Sequence, residues 1–215
     1  MRPKIKICCI SSIEEANIAI AHGASALGLV ANMPSGPGVI SDELITSIAR
    51  HTPPAIATFM LTSETSARSI IAHHHRTLTN TIQIVDELSE GTYKEIREAL
   101  PAIKLVQVIH VTGEQSIDEA LRISEHVDAL LLDSGNPNLA VKELGGTGRV
   151  HNWLLSRSIV QQSRVPVFLA GGLNADNVKR AIDQVQPYGL DLCSGVRTDK
   201  KLDNDKLKRF FDQVN

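Results

Sequence analysis

The chain has 215 residues, with 22 Lys+Arg against 24 Asp+Glu and a formal net charge of −2, a length that lets one compact core fold without staples. This balance provides no long-range positive field to gather nucleic acid or an anionic membrane. At 3% aromatic residues, stacking platforms for bases are also scarce.

The three cysteines, Cys8, Cys9 and Cys193, are an odd number at irregular positions, which argues against a secreted disulfide framework and for a reducing compartment. The apolar run in MRPKIKICCI soon meets Glu14 and Glu15, so neither a signal segment nor a membrane span is expected and a cytoplasmic location is. Short apolar runs then alternate with segments of helical period. Strands are predicted over 4–9, 26–30, 55–60, 81–85, 103–109, 129–133, 167–170 and 190–193. Helices are predicted to begin near Ser12, Ser41, Ser63, Thr92, Ser116, Asn152, Asn174 and Asp203, most with a capping side chain at hand. Eight such pairs without a linker imply a single (β/α)8 TIM barrel spanning 1–215. An open doubly wound sheet is the competing architecture, but its G-x-G-x-x-G fingerprint after the first strand is absent.

In a barrel, the residues where strands end become functional candidates. Alternation along the first strand sends Ile5, Ile7 and Cys9 toward the helices and Lys4, Lys6 and Cys8 inward. An ammonium beside Cys8 favours its thiolate, making it a candidate base or nucleophile, whereas Cys9 reads as a small buried hydrophobe. At the end of the sixth strand, Asp133 follows three leucines. Burial there raises a carboxyl pKa and leaves a neutral acid able to donate a proton; the alternative is a turn cap for Ser134 and Gly135. Asp191, inward on the last strand, neighbours Lys6 around a closed barrel and either pairs with it or holds a substrate hydroxyl or amine.

Glycine turns fall late in the chain, at Gly145-Gly146-Thr147-Gly148, Gly171-Gly172 and Ser194-Gly195. In barrels the loops after strands seven and eight commonly bind phosphate through backbone N–H groups, so Gly146, Gly148, Gly171, Gly172, Ser194 and Gly195 are candidate phosphate ligands. The His73-His74-His75-Arg76 run gives no metal site, because adjacent helical residues point in different directions. Placed at the end of a helix, it complements the dipole.

Lys6-Ile7-Cys8, Leu131-Leu132-Asp133-Ser134, Gly145-Gly146-Thr147-Gly148, Leu169-Ala170-Gly171-Gly172-Leu173 and Asp191-Leu192-Cys193-Ser194-Gly195-Val196, in this order, resemble the phosphoribosylanthranilate isomerase family of tryptophan biosynthesis. The resemblance implies a cofactor-free Amadori rearrangement of N-(5-phosphoribosyl)anthranilate. Asp133 would be the general acid at the ring oxygen and Cys8 the general base at C2. Lys6 and Asp191 would position the substrate, and the glycine turns would hold its 5-phosphate. The partner implied is a small phosphosugar, with no nucleic acid or membrane, for a monomer or homodimer.

Four positions depart from the family pattern. Ser35-Gly36-Pro37-Gly38 stands where Ser-Pro-Arg is usual, Gln83-Ile84-Val85-Asp86 where Gln-Leu-His-Gly is frequent, Cys9 where Gly follows the catalytic Cys, and Asn152 where Asp precedes Trp153. Arg149 and His110 are the candidates to compensate for the missing arginine. The lost arginine keeps two other readings open, a phosphosugar isomerase or lyase with another aglycone and a phospho-ligand-binding regulatory protein.

Overall fold

A computed structural model describes residues 2–135 and 150–214. Eight parallel strands, β1 (Lys4–Ile7), β2 (Ala26–Val30), β3 (Ala57–Thr62), β4 (Thr81–Ile84), β5 (Lys104–His110), β6 (Ala129–Asp133), β7 (Val167–Leu169) and β8 (Gly189–Leu192), close in sequence order into a barrel. The helices around it are α1 (Ile13–His22), α2 (Asp42–His51), α3 (Ala67–Thr77), α4 (Tyr93–Ala99), α5 (Gln115–Ser124), α6 (Trp153–Gln162), α7 (Val178–Val185) and α8 (Asn204–Val214). A short hairpin not expected from the sequence, β9 (Arg197–Thr198) and β10 (Lys201–Leu202), precedes α8. Among the described residues, no helix is long and apolar enough to cross a membrane.

The apolar residues form two buried layers. Ile5, Ile7, Leu27, Leu29, Ile82, Leu130 and Leu190 face the helices with Ile45, Ile48 and Phe210. Each fully buried aliphatic side chain of this layer contributes about 1.5–3 kcal/mol relative to exposure. Inside the barrel, Ala26, Phe59, Val106, Ala129, Leu131 and Phe168 fill the floor. Phe59 and Phe168 meet edge-on at 6.0 Å.

Helix starts follow the caps. Ser12 Oγ accepts from Glu15 N–H, Ser41 Oγ from Leu44 N–H and Thr92 Oγ1 from Glu95 N–H. Two starts differ from expectation. The helix expected near Ser63 is capped by Ser66, whose hydroxyl accepts from Ser69 N–H. Ser63 instead donates to Asn32 O, tying the loop after β3 to the loop after β2. The helix expected near Asn174 begins at Val178, because Asn174 and Asn177 exchange a turn in which Asn174 N–H donates to Asn177 Oδ1. The third strand runs two residues later than predicted, since Ile56 N–H donates to Pro53 O and that turn removes 55–56 from the sheet. The histidine run does end α3, with His74, His75 and Arg76 in its last turn. His73 is buried against Thr62 Oγ1 and Asp42 Oδ1.

Candidate active site

The parallel pairing of β1 with β8 sets Lys6 opposite Asp191, and their side chains meet at 2.9 Å with Lys6 fully buried. Burial alone would lower the Lys6 pKa, but Asp191 and the neighbouring thiols hold it above the ordinary lysine value. The ammonium also lies 5.3 Å from the centre of the Phe59 ring. A Cβ at Gly28 would stand 2.8 Å from Cys8 Sγ and 3.0 Å from Lys6 Nζ, so glycine on the adjacent strand leaves room for both heads. Cys8 points inward and is depressed below the ordinary thiol pKa. The first cause is a hydrogen bond with the Cys9 side chain, which outweighs burial; the Lys6 ammonium adds to it. The sequence suggested lysine alone, and the larger contribution comes from the neighbouring thiol.

Cys9 is where strand alternation fails. Its φ of 63° turns the chain out of the extended conformation. The side chain therefore leaves the helix-facing layer expected for it and joins the barrel interior. Its sulfur lies 2.7 Å from Cys193 Sγ and donates to Pro37 O at 3.5 Å. Bonds to Cys193 and Cys8, together with burial, push its pKa up, so it is a protonated donor. The turn is clamped from outside by Arg197, whose Nη2 donates to Cys8 O at 3.2 Å and Cys9 O at 2.6 Å. Glu15 in turn accepts from both terminal nitrogens of Arg197, at 2.9 and 3.1 Å. Neither Arg197 nor Glu15 was singled out from the sequence.

Asp133 ends β6, 7% exposed. Burial raises its pKa, although its bond from Ser134 N–H at 2.8 Å opposes this. That bond is the turn-capping contact weighed as the alternative reading, so the carboxyl both caps the turn and faces the cavity. His110 on β5 is in register with Asp133; its Nε2 lies 3.1 Å from Val85 O and its buried Nδ1 has no partner among the described residues. Gln83 on β4, which the sequence marks only as part of the Gln83-Ile84-Val85-Asp86 stretch, is 3% exposed and its Oε1 has no partner among the described residues. Its inward place in the β4 alternation was the signal available.

Gly171 and Gly172 have φ of 84° and 63°, values an L side chain rarely adopts. Their N–H groups donate to no acceptor among the described residues. Gly195 lies in a single 3-10 turn, Ser194–Val196, where a Cβ would collide with the Leu173 carbonyl oxygen. Glycine there brings the loops after β7 and β8 together. Gly146, Gly148 and Arg149 lie outside the described residues.

These groups converge. One cavity at the mouth of the barrel is lined by Cys8, Asp133, Asp191, Gln83, Gly171, Gly172 and Ser194 among others. Lys6 does not line it and reaches it through Asp191; Gly195 acts by letting Ser194 approach. Among the described residues, none of the lining side chains is Arg, Lys or His, and no group of three or more His, Cys, Asp or Glu is arranged to hold a metal.

A buried thiol and a buried carboxyl displaced toward each other in pKa, beside a glycine cradle at the C-terminal mouth of a closed barrel, define an acid–base enzyme of the (β/α)8 class. Residues 5–213 match the family described as N-(5'phosphoribosyl)anthranilate (PRA) isomerase, and the chain belongs to that family. It is 35% identical over 195 residues to N-(5'-phosphoribosyl)anthranilate isomerase 2 of Methanosarcina mazei, covering 90% of this chain and 85% of that one. Its fold is similar to the phosphoribosyl anthranilate isomerase structure from Thermotoga maritima, with TM-score 0.81, 28% identity and coverage of 99% and 98% of the two chains. An isomerase solved in complex with reduced 1-(o-carboxyphenylamino)-1-deoxyribulose 5-phosphate gives TM-score 0.78 at 26% identity, covering 99% of this chain and 98% of that one.

Proposed function

We propose that this chain catalyses the rearrangement of N-(5-phosphoribosyl)anthranilate to its 1-deoxyribulose 5-phosphate isomer in tryptophan biosynthesis, with Asp133 as general acid and Cys8 as general base. The observation that carries the assignment of roles is the opposed displacement of two buried groups on one cavity wall-to-wall, Cys8 downward and Asp133 upward. An acid must hold its proton and a base must lack one at the same pH, and these environments move both groups in the required directions.

In the first step the Asp133 proton passes to the ring oxygen. The C1–O bond breaks, and the nitrogen lone pair forms the Schiff base. The Cys8 thiolate then removes the C2 proton, and the released electron pair flows to nitrogen to give the enolamine. Proton return at C1 and loss of the C2 hydroxyl proton yield the ketone. Asp191, held by Lys6, orients the sugar hydroxyls. The N–H groups of Gly171, Gly172 and Ser194 cradle the phosphate, joined by Gly146 and Gly148 from the preceding loop. Gln83, on the far side of the barrel from β8, meets the aglycone with a neutral amide.

The test is the loss of anthranilate-type fluorescence when purified protein meets the freshly made substrate. Wild-type turnover with Cys8→Ala and Asp133→Asn each reduced about 10²–10⁴-fold is the expected result for removing one acid or base. Full activity in either variant would remove that residue from the mechanism.

A further inference from the structure

Two sulfurs that the proposed chemistry does not use sit on the wall of the same cavity. Cys9 and Cys193 lie just beyond the ends of adjacent, paired strands, two residues past β1 and one past β8, where Ile7 is in register with Leu192 and Cys8 N–H donates to Leu192 O at 2.7 Å. The two sulfur atoms are already 2.7 Å apart, against roughly 2.05 Å for the covalent bond. Both residues line the cavity; Cys193 is half-buried and Cys9 is 5% exposed, so a small oxidant reaching the site meets Cys193 first. The positive φ at Cys9 is what aims its side chain at Cys193 instead of the helix layer.

We infer that Cys9 and Cys193 are an oxidative modification site, a dithiol that a peroxide converts to a disulfide beside the base Cys8, and that this modification slows the enzyme reversibly. In the balanced step, one thiolate attacks a peroxide oxygen, breaking the O–O bond and becoming a sulfenic acid as hydroxide leaves and takes a proton. The second sulfur attacks the first, forming the S–S bond and expelling the second oxygen as water. Two thiols and one hydrogen peroxide give one disulfide and two waters. Disulfide formation removes the Cys9 thiol proton, which in the reduced protein donates to Pro37 O and ties the 35–38 loop to the cavity wall; it also removes the neighbouring thiol that favours the Cys8 thiolate.

Pairing is independent of the isomerase reading; its effect on turnover rests on it. The experiment treats the full chain with hydrogen peroxide at stoichiometric ratios and follows intact mass, non-reduced peptide mapping and isomerase turnover together. The expected result is a species lighter by two hydrogen atoms, a cross-link joining the peptide containing Cys9 to that containing Cys193, and turnover lower by about tenfold, as for losing one hydrogen bond to a charged group. Dithiothreitol should restore both mass and rate. Cys193→Ser should form no such cross-link, and Cys9→Gly, which suits the positive φ, should behave alike if the serine variant folds poorly. A link through Cys8, oxygen addition at Cys8 without any cross-link, or a Cys9–Cys193 bond that leaves turnover unchanged would each overturn the proposal. If the protein turns over no phosphoribosylanthranilate at all, the mass and mapping results still decide the pairing, while the functional reading fails on its own assay.

Discussion

The wall of the cavity built from β8 and β1 carries buried charge and sulfur, whereas the wall from β3 to β6 is largely aliphatic. On the first side Asp191 is backed by Lys6, the turn after β1 is backed by Arg197 and Glu15, and three thiols gather where β1 and β8 end. On the second, Leu61, Val85, Val108 and Leu131 line the cavity, and Gln83 and Asp133 are its polar groups. A charged wall fixes its members through partners on distant segments, so each group is placed by long-range ion pairs. An apolar wall raises the pKa of the carboxyl set in it by withholding solvent. The proposed reaction needs both, because one environment must stabilise an anion and the other must refuse one.

The largest effect expected from breaking this contrast is at its two chemical ends. Cys8→Ala and Asp133→Asn should each lower kcat by about 10²–10⁴-fold while leaving thermal stability nearly unchanged. Next is the clamp behind the thiols. Glu15→Gln leaves the guanidinium of Arg197, 7% exposed, without its counter-charge and should cost about 3 kcal/mol in denaturant unfolding. The sign with pH follows from direction. The bonds from Arg197, Leu202 N–H and Ser11 N–H outweigh burial and hold the Glu15 carboxyl below its ordinary 4.5. The unfolded chain therefore takes up this proton first. The stabilisation is complete above the ordinary value and is lost as pH falls through the folded one, so wild type and Glu15→Gln should converge in stability toward low pH.

A smaller effect is expected on the apolar wall. Gln83→Leu should lower kcat/KM by about tenfold, the size of one hydrogen bond to a charged group, with little change in stability since no protein partner is lost. Parallel measurement with a substrate lacking the aglycone carboxylate separates the two roles of the amide. If Gln83 reads the carboxylate, the variant should be no worse than wild type on that analogue. The smallest change sharpens the comparison. Cys9→Gly removes the thiol that most favours the Cys8 thiolate, so the pH at which Cys8 ionises should move upward and kcat/KM at neutral pH should fall.

The barrel was legible because its signal is periodic and local. Eight apolar runs and eight capped helices declare themselves within short windows, and misplaced starts such as Ser63 for Ser66 came from a loop hydroxyl used elsewhere. Cys8, Asp133 and Asp191 were legible by the same alternation, which fixes which side chains of a strand point inward. Cys9 was read onto the wrong layer, because alternation assumes extended backbone and fails at a positive φ. Arg197 left no local trace, since its work is done on carbonyls 188 and 189 residues earlier. Gln83 had the right position and was passed over because a lone amide on a strand carries no motif of its own.

The guanidinium at 197 also ties catalytic readiness to the order of synthesis. Residue 8 leaves the ribosome long before residue 197, yet the turn that holds its sulfur is pinned only after the eighth strand has closed and the hairpin behind it has formed. A chain interrupted before that point keeps the thiol but lacks its clasp.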